Sequence, residues 1–342
     1  MTSASQQHAT NAAFFDFQEP IHILGAGSIG LLWAASIRSA LPSYPVQLLL
    51  RKNHQHRLLG GSKVAICVQA KHNITRRAPR TVQVPAALIG ELNQKRPFQN
   101  LFVTTKAHQA LPALTTVVDR ISPQTRIILL CNGALAIRET LREFLKERSR
   151  IHLAMTTHGA YRDDDDDDDE LYHVVHAGYG TTSIEDYPAM AHLLDLAGLN
   201  CTTSLTLDRE LWYKLAANCV INPLTALYRC RNGDIRRLYE QRNHPPESSL
   251  DVYMMEIVQE VSMVAHQMTG QEYAVESLQT YVETVIKATS ANQSSMFQDV
   301  LAGRDTEIDY LNGFIVQQGQ QRGLSCPVNQ QLVKDVLGLR NR

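Results

Sequence analysis

The sequence predicts two domains, the first an α/β domain with a doubly wound sheet and the second all-helical. From residue 21 to about residue 203, short apolar runs alternate with helical stretches, which is typical of such a sheet. From Leu207 nearly to the end of the chain, the hydrophobic periodicity is helical and turn signals are few. We therefore expect three regions: an N-terminal extension over 1–20, a sheet domain over 21–205 and a helical domain over 206–342.

A glycine-rich turn follows the first predicted strand. The apolar run Ile21–Leu24 precedes the hexad Gly25-Ala26-Gly27-Ser28-Ile29-Gly30, and a helix-forming stretch follows over 31–41. A strand, a G-x-G-x-x-G turn and a helix in this order are typical of a dinucleotide-binding βαβ unit. The pyrophosphate would bind the free N–H groups at the positive end of the helix dipole. A purely structural glycine turn is the alternative, and the flanking strand and helix disfavour it.

Two cations, Arg51 and Lys52, follow the second predicted strand, Val46–Leu50. A site for NAD usually has Asp or Glu near this point, where the carboxylate binds the ribose 2′-hydroxyl. A carboxylate would repel a 2′-phosphate, whereas a guanidinium can bind one through two parallel charge-assisted hydrogen bonds. The sequence therefore predicts NADPH as the cofactor, the alternative being a solvated basic strand end.

Further apolar runs predict strands over 101–104, 126–130 and 151–156, and a hairpin over 172–184. Lys106 follows the first of these strands, and Asn132 follows the second. Ligands of open α/β sheets bind at the carboxyl ends of the strands, so both side chains are candidates for the ribose and nicotinamide side of a cofactor. The alternative is that both residues lie in loops without a binding role.

The bulk properties exclude several classes of protein. A formal net charge of −1 over 342 residues gives no electrostatic reason to bind nucleic acid or an anionic membrane. No apolar run approaches the ~20 residues of a membrane-spanning helix, and the six cysteines contain no C-x-x-C pair. We expect a cytoplasmic protein with a small-molecule substrate, either a monomer or a homodimer.

An unusual acidic run covers residues 163–169, all aspartates, and continues into Glu170. Adjacent carboxylates repel one another and cannot be buried together, so we expect a solvated loop. A weak divalent-cation site is the alternative, although the spacing of an EF-hand is absent. His173 and His176 would point to opposite faces of a strand. We therefore predict no metal site.

The most informative segment of the second half is the apolar stretch 211–227. Within it Lys214, Asn218 and Asn222 recur every four residues, which aligns them on one helix face. A lysine and two amides in a core helix are costly unless something polar lies opposite them. We interpret the row as a surface for a small anionic substrate, the alternative being an internal hydrogen-bond network. We expect Pro223 to bend the helix and Asn232 to lie in the turn that follows.

A second polar segment contains Ser295 and Glu307. Ser295 with Gln298 fits an N-terminal capping box, and from spacing alone capping is the better interpretation. Glu307 lies in a charged stretch, where the default expectation is a solvated helix face. An unbroken helix would place Ser295 and Glu307 on different faces, so a shared site requires a break, which Gly303 can supply.

Taken together, these motifs resemble the ketopantoate reductase (2-dehydropantoate 2-reductase) family. The resemblance covers residues 21–335 and rests on the motifs GAGSIG, TTKAHQ, the NG at 132–133, KLAANCVINPLTALYRCRNG and SSMFQDVLAGRDTEIDYLNG. It implies NADPH-dependent reduction of 2-dehydropantoate to (R)-pantoate, on the route to pantothenate and coenzyme A. It also implies an N-terminal Rossmann domain and a C-terminal domain like that of 6-phosphogluconate dehydrogenase, with the active site expected in the cleft between them.

The resemblance also implies roles for individual residues. Lys214 matches the proton-donating lysine of the family, and Glu307 matches an acid that reaches the cofactor and the substrate. The matching cofactor contacts are Gly25, Ala26, Gly27, Ser28, Ile29, Gly30, Arg51, Lys106, Asn132 and Ala160. The matching substrate contacts are Asn132, Lys214, Asn218, Asn222, Asn232 and Ser295. The chain departs from the family at Leu135, where N-G-x-G is common, and in the acidic run after Ala160.

The implied chemistry agrees with the residue types. As hydride reaches the 2-keto carbon, the carbonyl oxygen gains negative charge, which an ammonium can stabilise before it donates the proton. A free lysine is protonated at neutral pH, as a general acid must be. Two alternatives stay open: another NADPH-dependent 2-keto or 3-hydroxy acid dehydrogenase, and a non-catalytic NADPH-binding sensor. Lys214 distinguishes an enzyme from a sensor, because a sensor has no need of a buried proton donor.

Overall fold

The structure is a computed structural model of the whole chain. It describes residues 19–70, 78–92, 96–146, 149–163, 170–241 and 249–341. The predicted N-terminal extension, up to residue 18, and most of the predicted acidic loop, residues 164–169, lie outside the described residues. The chain divides into two compact units, the first ending at Leu207 and the second beginning at Asp208.

Among its described residues, the first unit contains one sheet of eleven strands with four α-helices. The strands are β1 Ile21–Leu24, β2 Val46–Leu50, β3 Lys63–Ala70, β4 Arg80–Leu88, β5 Asn100–Val103, β6 Arg126–Leu129, β7 Arg150–Thr156, β8 Gly159–Arg162, β9 Leu171–Gly178, β10 Thr182–Glu185 and β11 Cys201–Ser204. The helices are α1 Ser28–Ala40, α2 Ala107–Thr115, α3 Ala134–Leu145 and α4 Pro188–Leu194. The hydrogen-bonded order is β11-β10-β7-β6-β5-β1-β2-β4-β3-β9-β8.

The centre of this sheet is parallel, which confirms the predicted α/β fold class. Strand β1 pairs in parallel with β2 on one side and with β5 on the other, and β5 pairs in parallel with β6. These strands are short, nearly continuous apolar runs, as expected where both faces of a parallel sheet are covered. Because the strands are parallel, the carboxyl ends of β1, β5 and β6 lie side by side at one edge of the sheet.

Helix α1 lies at the core of the first unit. Every residue from Gly30 to Ile37 is buried, so this helix is covered on all sides. It contacts β2, β3 and β4, and also β8 and β9 near the end of the strand order. The glycine turn directly before α1 is thereby attached to the most buried helix of the unit.

The predicted hairpin over 172–184 is wrong. Strand β9 pairs with β3 and β8, whereas β10 pairs with β7 and β11. The chain between β9 and β10 passes so close to Thr157 that a Cβ at Gly180 would overlap it. Thr157 and His158 alone connect β7 to β8, although these strands lie far apart in the strand order. The two ends of the sheet therefore approach each other at this connection.

A buried histidine pair stabilises this closure. His158 Nδ1 lies 3.0 Å from His176 Nε2, and His158 Nε2 lies 3.0 Å from the Leu199 carbonyl oxygen. Because a carbonyl only accepts, His158 carries its proton on Nε2, and its Nδ1 accepts from His176 and from the Gly180 N–H at 3.3 Å. Burial, followed by the charge of His158, lowers the pKa of His176 to about 4.

We expect the free energy of unfolding to fall as the pH drops from about 6.5 to about 4. In this window the unfolded chain binds a proton at His176 that the folded chain does not, so acid favours unfolding. His22, whose pKa is also lowered to about 4 by burial and by Arg120, adds to the slope. Thermal melts of His176→Gln across this window are expected to show a shallower pH dependence than those of the wild type. The exposed His56→Gln is the control, and an unchanged slope in His176→Gln would contradict the assignment.

Among the described residues of the second unit, all regular secondary structure is helical, as predicted. Its α-helices are α5 Leu207–Tyr228, α6 Ile235–Glu240, α7 Leu250–Thr269, α8 Val275–Ala288, α9 Ser295–Leu301, α10 Asn312–Gln321 and α11 Pro327–Leu337. Helix α5, which carries the polar row, continues through Pro223. None of the described helices is long and apolar enough to span a membrane. In the described ranges, no group of three or more His, Cys, Asp or Glu side chains is placed to hold a metal ion.

Candidate active site

The glycine turn of the first unit is tightly constrained by its neighbours. Gly25 has a φ of +123°, and a Cβ there would lie 2.9 Å from both Thr104 Oγ1 and the Thr105 nitrogen. A Cβ at Gly30 would overlap the Gly25 carbonyl oxygen. Both positions therefore require glycine for reasons internal to the protein, independently of any ligand.

Gly27 differs from the other two glycines of the hexad. A Cβ there would meet only the Thr104 carbonyl oxygen at 3.8 Å, an ordinary contact distance. Gly27 is the N-cap of α1, no side chain caps this helix, and its first turn contains no acidic residue. The first N–H groups of a helix have no partner within the helix. The space and the donors at Gly27 fit the pyrophosphate of a dinucleotide.

Thr104 holds this turn in place, which the sequence analysis missed. Its hydroxyl donates to the Gly25 carbonyl at 2.9 Å, and its backbone N–H donates to the Leu24 carbonyl at 3.0 Å. The neighbouring Thr105 hydroxyl is buried and has no hydrogen-bond partner among the described residues. The signal in the sequence was the pair Thr104-Thr105 directly after a strand and before Lys106.

The basic residues after β2 form a cluster of positive charge. Arg51 is exposed and is the N-cap of a short 3-10 helix, Lys52–Arg57. Burial, followed by the charges of Arg162, Arg51 and Arg57, lowers the pKa of His54. All three guanidiniums, of which Arg162 belongs to β8, therefore act electrostatically on His54. Such a cluster is suited to a phosphate rather than to a ribose hydroxyl.

Lys106 and Asn132 lie at the same edge of the sheet as the glycine turn. Lys106 is the N-cap of α2, three residues after the end of β5, and Asn132 follows the end of β6. The pairing register aligns Leu24 with Val103 and Val103 with Leu129, so the ends of the three strands are adjacent. Gly133, the N-cap of α3, follows Asn132 directly. The structure thus places two predicted cofactor residues just after the ends of β5 and β6, at the sheet edge where β1 leads into the glycine turn.

Ala160 lies in β8, opposite His176 in the pairing with β9. It packs against the same hydrophobic core as Ala26 and Ile29 of the glycine hexad. A register irregularity separates it from Gly159. Its contact with a cofactor stays a prediction.

Helix α5 of the second unit presents the predicted polar row. Lys214 and Asn218 are half-buried and Asn222 is buried, among neighbours that are nearly all buried apolar residues. With 3.6 residues per turn, the spacing of four places these three side chains on one face. The row is therefore partly exposed to solvent at Lys214 and buried at Asn222.

Asn232 is the buried first residue of the 3-10 helix Asn232–Asp234. Its Nδ2 donates to Thr289 Oγ1 at 2.8 Å, and its backbone N–H donates to the Asn292 carbonyl at 2.9 Å. Its Oδ1 is buried without a hydrogen-bond partner in the part of the chain that the structure describes. A buried amide oxygen of this kind is costly unless it accepts a hydrogen bond. A substrate hydroxyl is a suitable donor.

The expectation that Ser295 caps the helix is wrong, because Ser294 is the N-cap of α9. The Ser294 hydroxyl accepts from the Phe297 N–H at 3.1 Å and bonds to Thr225 Oγ1 of α5 at 2.6 Å. Ser295 is the first residue of the helix and is exposed. Its hydroxyl is therefore not needed for capping, which is compatible with the predicted role in substrate binding.

The expectation of a solvated helix face at Glu307 is also wrong, since only 7% of this residue is exposed. Helix α9 ends at Leu301, and Gly303 follows with a φ of +62°. The predicted break at Gly303 is thus confirmed. It separates the segment of Glu307 from the helix and directs the chain into the interior of the unit.

Sequence comparison decides the family. A profile described as "Ketopantoate reductase PanE/ApbA" matches residues 21–189, and one described as "Ketopantoate reductase PanE/ApbA C terminal" matches residues 206–339. The chain belongs to the ketopantoate reductase family. A protein of Yersinia pestis named 2-dehydropantoate 2-reductase is 32% identical over 317 residues, covering 91% of this chain and 92% of that protein.

Solved structures show the same fold as this member of the ketopantoate reductase family. A ketopantoate reductase from Ralstonia eutropha JMP134 superimposes with a TM-score of 0.74 at 21% identity, covering 94% of this chain and 98% of that one. A D-mandelate dehydrogenase solved with NADH and anilino(oxo)acetate gives a TM-score of 0.76 at 20% identity, with the same coverage of 94% and 98%. At this level of identity the two structures establish the fold alone.

Proposed function

We propose that the chain catalyses the NADPH-dependent reduction of 2-dehydropantoate to (R)-pantoate, a step toward pantothenate and coenzyme A. The observation that carries this proposal is the row Lys214, Asn218 and Asn222 in the otherwise largely apolar stretch 211–227 of helix α5. An ammonium and two amides suit a small keto acid, which offers a carboxylate and a carbonyl to hydrogen-bond donors. The name of the Yersinia pestis relative supports the same reaction.

The first unit supplies the groups that would hold the cofactor. The N–H groups at Gly27 would bind the pyrophosphate, Arg51 would bind the 2′-phosphate, and Lys106 and Asn132 would lie toward the nicotinamide. The remaining proposed contacts in this unit are Gly25, Ala26, Ser28, Ile29, Gly30 and Ala160, and Glu307 of the second unit is a further proposed cofactor contact. When bound, the reduced nicotinamide supplies a hydride to the 2-keto carbon.

The second unit supplies the groups that would act on the substrate. As the carbonyl is reduced, Lys214 Nζ stabilises the charge on its oxygen and donates the proton that completes the product hydroxyl. Asn218, Asn222, Asn232 and Ser295 would orient the substrate carboxylate and hydroxyl, together with Asn132. Glu307, buried in the second unit, would add a further polar contact. Holding the reacting groups in place is itself worth a large part of the barrier.

We further propose that the enzyme acts in the cytoplasm on small molecules, as a monomer or a homodimer. The near-zero net charge, formally −1, supports the expectation that nucleic acid is not a partner. Light scattering of the purified chain measures the oligomeric state directly.

A panel of 2-keto acids tests the proposed function. We expect the purified chain to oxidise NADPH with its highest kcat/KM for 2-dehydropantoate. Phenylglyoxylate, the keto acid that corresponds to mandelate, serves as the comparison substrate. A preference for phenylglyoxylate would favour another 2-keto acid dehydrogenase. NADPH binding without turnover of any keto acid would favour a sensor.

Arg51→Ala is expected to weaken NADPH binding by about 10- to 100-fold and to leave NADH binding nearly unchanged. The lost contact is a charge-assisted pair with the 2′-phosphate, which NADH lacks. Titration of both cofactors against the variant measures the effect. Arg142→Ala, which removes an exposed arginine of α3 that pairs with Glu139, is the matched control. An equal loss for NADPH and NADH would show that Arg51 does not contact the 2′-phosphate.

A further inference from the structure

Pro223 leaves a buried carbonyl group in α5 without its helical donor. In a continuous helix the carbonyl of residue 219 accepts from the N–H of residue 223, but proline has no N–H. Cys219 is completely buried, so water is excluded from this carbonyl. Asn312, at the start of α10, donates its Nδ2 to the Cys219 carbonyl oxygen at 2.9 Å. A side chain from a distant segment thus replaces the missing helical donor.

Asn312 is itself held by a chain of buried hydrogen bonds. Its Nδ2 also donates to Asn329 Oδ1 at 2.9 Å, and Asn329 Nδ2 donates to Glu260 Oε2 at 2.7 Å. The Glu260 carboxylate accepts two further bonds, each 2.9 Å long, from the backbone N–H groups of Val328 and Asn329. Both asparagines are completely buried.

The two ends of this chain fix the orientation of both amides. A carboxylate and a carbonyl can only accept hydrogen bonds. Asn329 must therefore turn its NH₂ toward Glu260 and its oxygen toward Asn312, and Asn312 must turn its NH₂ toward Cys219. Asn312 Oδ1 is buried without a hydrogen-bond partner among the described residues, and the bonds that the network does make allow only this orientation of the two amides.

We propose that Asn312 is a positioning residue for the reaction, acting on the Cys219 carbonyl that Pro223 leaves open. The proposal rests on the proposed function. Cys219 directly follows Asn218 and lies three residues before Asn222, so its carbonyl belongs to the turn of α5 that carries the substrate row. Asn312 lies five residues after Glu307, in the segment that carries this buried acid. The hydrogen bond therefore ties the substrate row to the segment of Glu307.

The chain offers a way to separate this positioning role from a merely structural one. Asn312→Leu removes the donor to Cys219 with little change in volume, and Pro223→Ala restores an N–H within the helix. In the double variant the Cys219 carbonyl again has a donor, but the link between α5 and α10 is gone. If Asn312 is merely structural, the second substitution is expected to restore activity along with stability. If Asn312 positions the substrate row, activity is expected to stay low.

We expect Asn312→Leu to lower both the melting temperature and kcat/KM for 2-dehydropantoate, the latter by about 10- to 100-fold, because small misplacements of reacting groups carry costs of this size. In the Pro223→Ala/Asn312→Leu variant the melting temperature is expected to recover in part, while kcat/KM stays low mainly through kcat. The Kd for NADPH is expected to be unchanged in both. Gln318→Leu, which removes a buried amide of α10 that bonds to Arg322, is the control for lost stability without lost activity.

Recovery of kcat/KM together with the melting temperature in the double variant would overturn the proposal, as would wild-type kcat/KM in Asn312→Leu. If Asn312→Leu does not fold, the comparison is between Pro223→Ala and the double variant. A kcat/KM ratio of at least about 10 between them is then expected, and a ratio near one would overturn the proposal. Wild-type turnover of 2-dehydropantoate is measured first. An inactive wild type refutes the proposed function, whereas an unimpaired double variant refutes only the role of Asn312.

Discussion

Replacing Lys214 with alanine is expected to lower kcat for 2-dehydropantoate by about 10²–10⁴-fold, the range that general acid catalysis contributes. The variant loses both the proton donor and the positive charge beside the developing alkoxide. The Kd for NADPH is expected to change little, because the groups proposed for the phosphates, at Gly27 and Arg51, belong to the other unit. The melting temperature is expected to hold, since Lys214 is only half-buried in α5.

Steady-state kinetics and NADPH titration on the same preparation separate these effects. Lys287→Ala, which removes an exposed lysine from the last turn of α8, is the matched control. A folded Lys214→Ala protein that binds NADPH and keeps near-normal turnover would contradict the mechanism. It would instead favour a role in which the row on α5 is only an internal hydrogen-bond network.

Alanine substitutions at Gly27 and Gly30 are expected to fail for different reasons. At Gly30 the added methyl group would overlap the Gly25 carbonyl, and such overpacking typically costs about 1–3 kcal/mol. That cost exceeds the gain of about 0.5–1 kcal/mol from replacing a helical glycine with alanine. We therefore expect Gly30→Ala to lower the melting temperature.

At Gly27 the nearest atom to an added Cβ is 3.8 Å away, so Gly27→Ala is expected to fold with little loss of stability. The methyl group would occupy the space through which a pyrophosphate approaches the helix N–H groups. We expect the Kd for NADPH to rise by at least about 10-fold, since hydrogen bonds to a charged group are lost. Gly90→Ala, with no atom within 4 Å of the added Cβ, is the control. Normal NADPH affinity in Gly27→Ala would show that the turn is purely structural.

The parts of the fold that the sequence predicted are those whose signals are local. Strand β1, the glycine turn and α1 adjoin one another in the chain, and their order alone indicates a βαβ unit. Strand β4 was missed because Pro85 lies within it, and a proline argues against a strand. In the structure Pro85 lies opposite Lys63, whereas pairing with β2 begins only at Ala86. Proline therefore lacks its N–H at a position that precedes the pairing of β4 with β2.

The hairpin was predicted wrongly for a related reason. Two apolar runs separated by a few residues are typical of a hairpin, but which strand pairs with which depends on distant parts of the chain. Here β9 joins β3, and β10 joins β7, with the histidine pair between them. No local pattern in the sequence contains this information.

In the candidate site, too, the features with local sequence signals were predictable and those that depend on distant residues were not. The row Lys214, Asn218 and Asn222 was predictable because one helix carries it at regular spacing. Glu307 was expected to be solvated because the sequence around it is charged, and its burial depends on the break at Gly303 and on packing within the unit. The bond from Asn312 to Cys219 joins residues 93 positions apart and could not be read from either segment alone.

The most direct test of the proposed reaction follows the hydride itself. NADPH carrying deuterium at the transferable position of the nicotinamide is incubated with the purified chain and 2-dehydropantoate, and the product is examined by mass spectrometry and chiral chromatography. We predict (R)-pantoate that carries one deuterium at C2. Pantoate without deuterium, or no reduction of 2-dehydropantoate by a folded, NADPH-binding protein, would contradict the account.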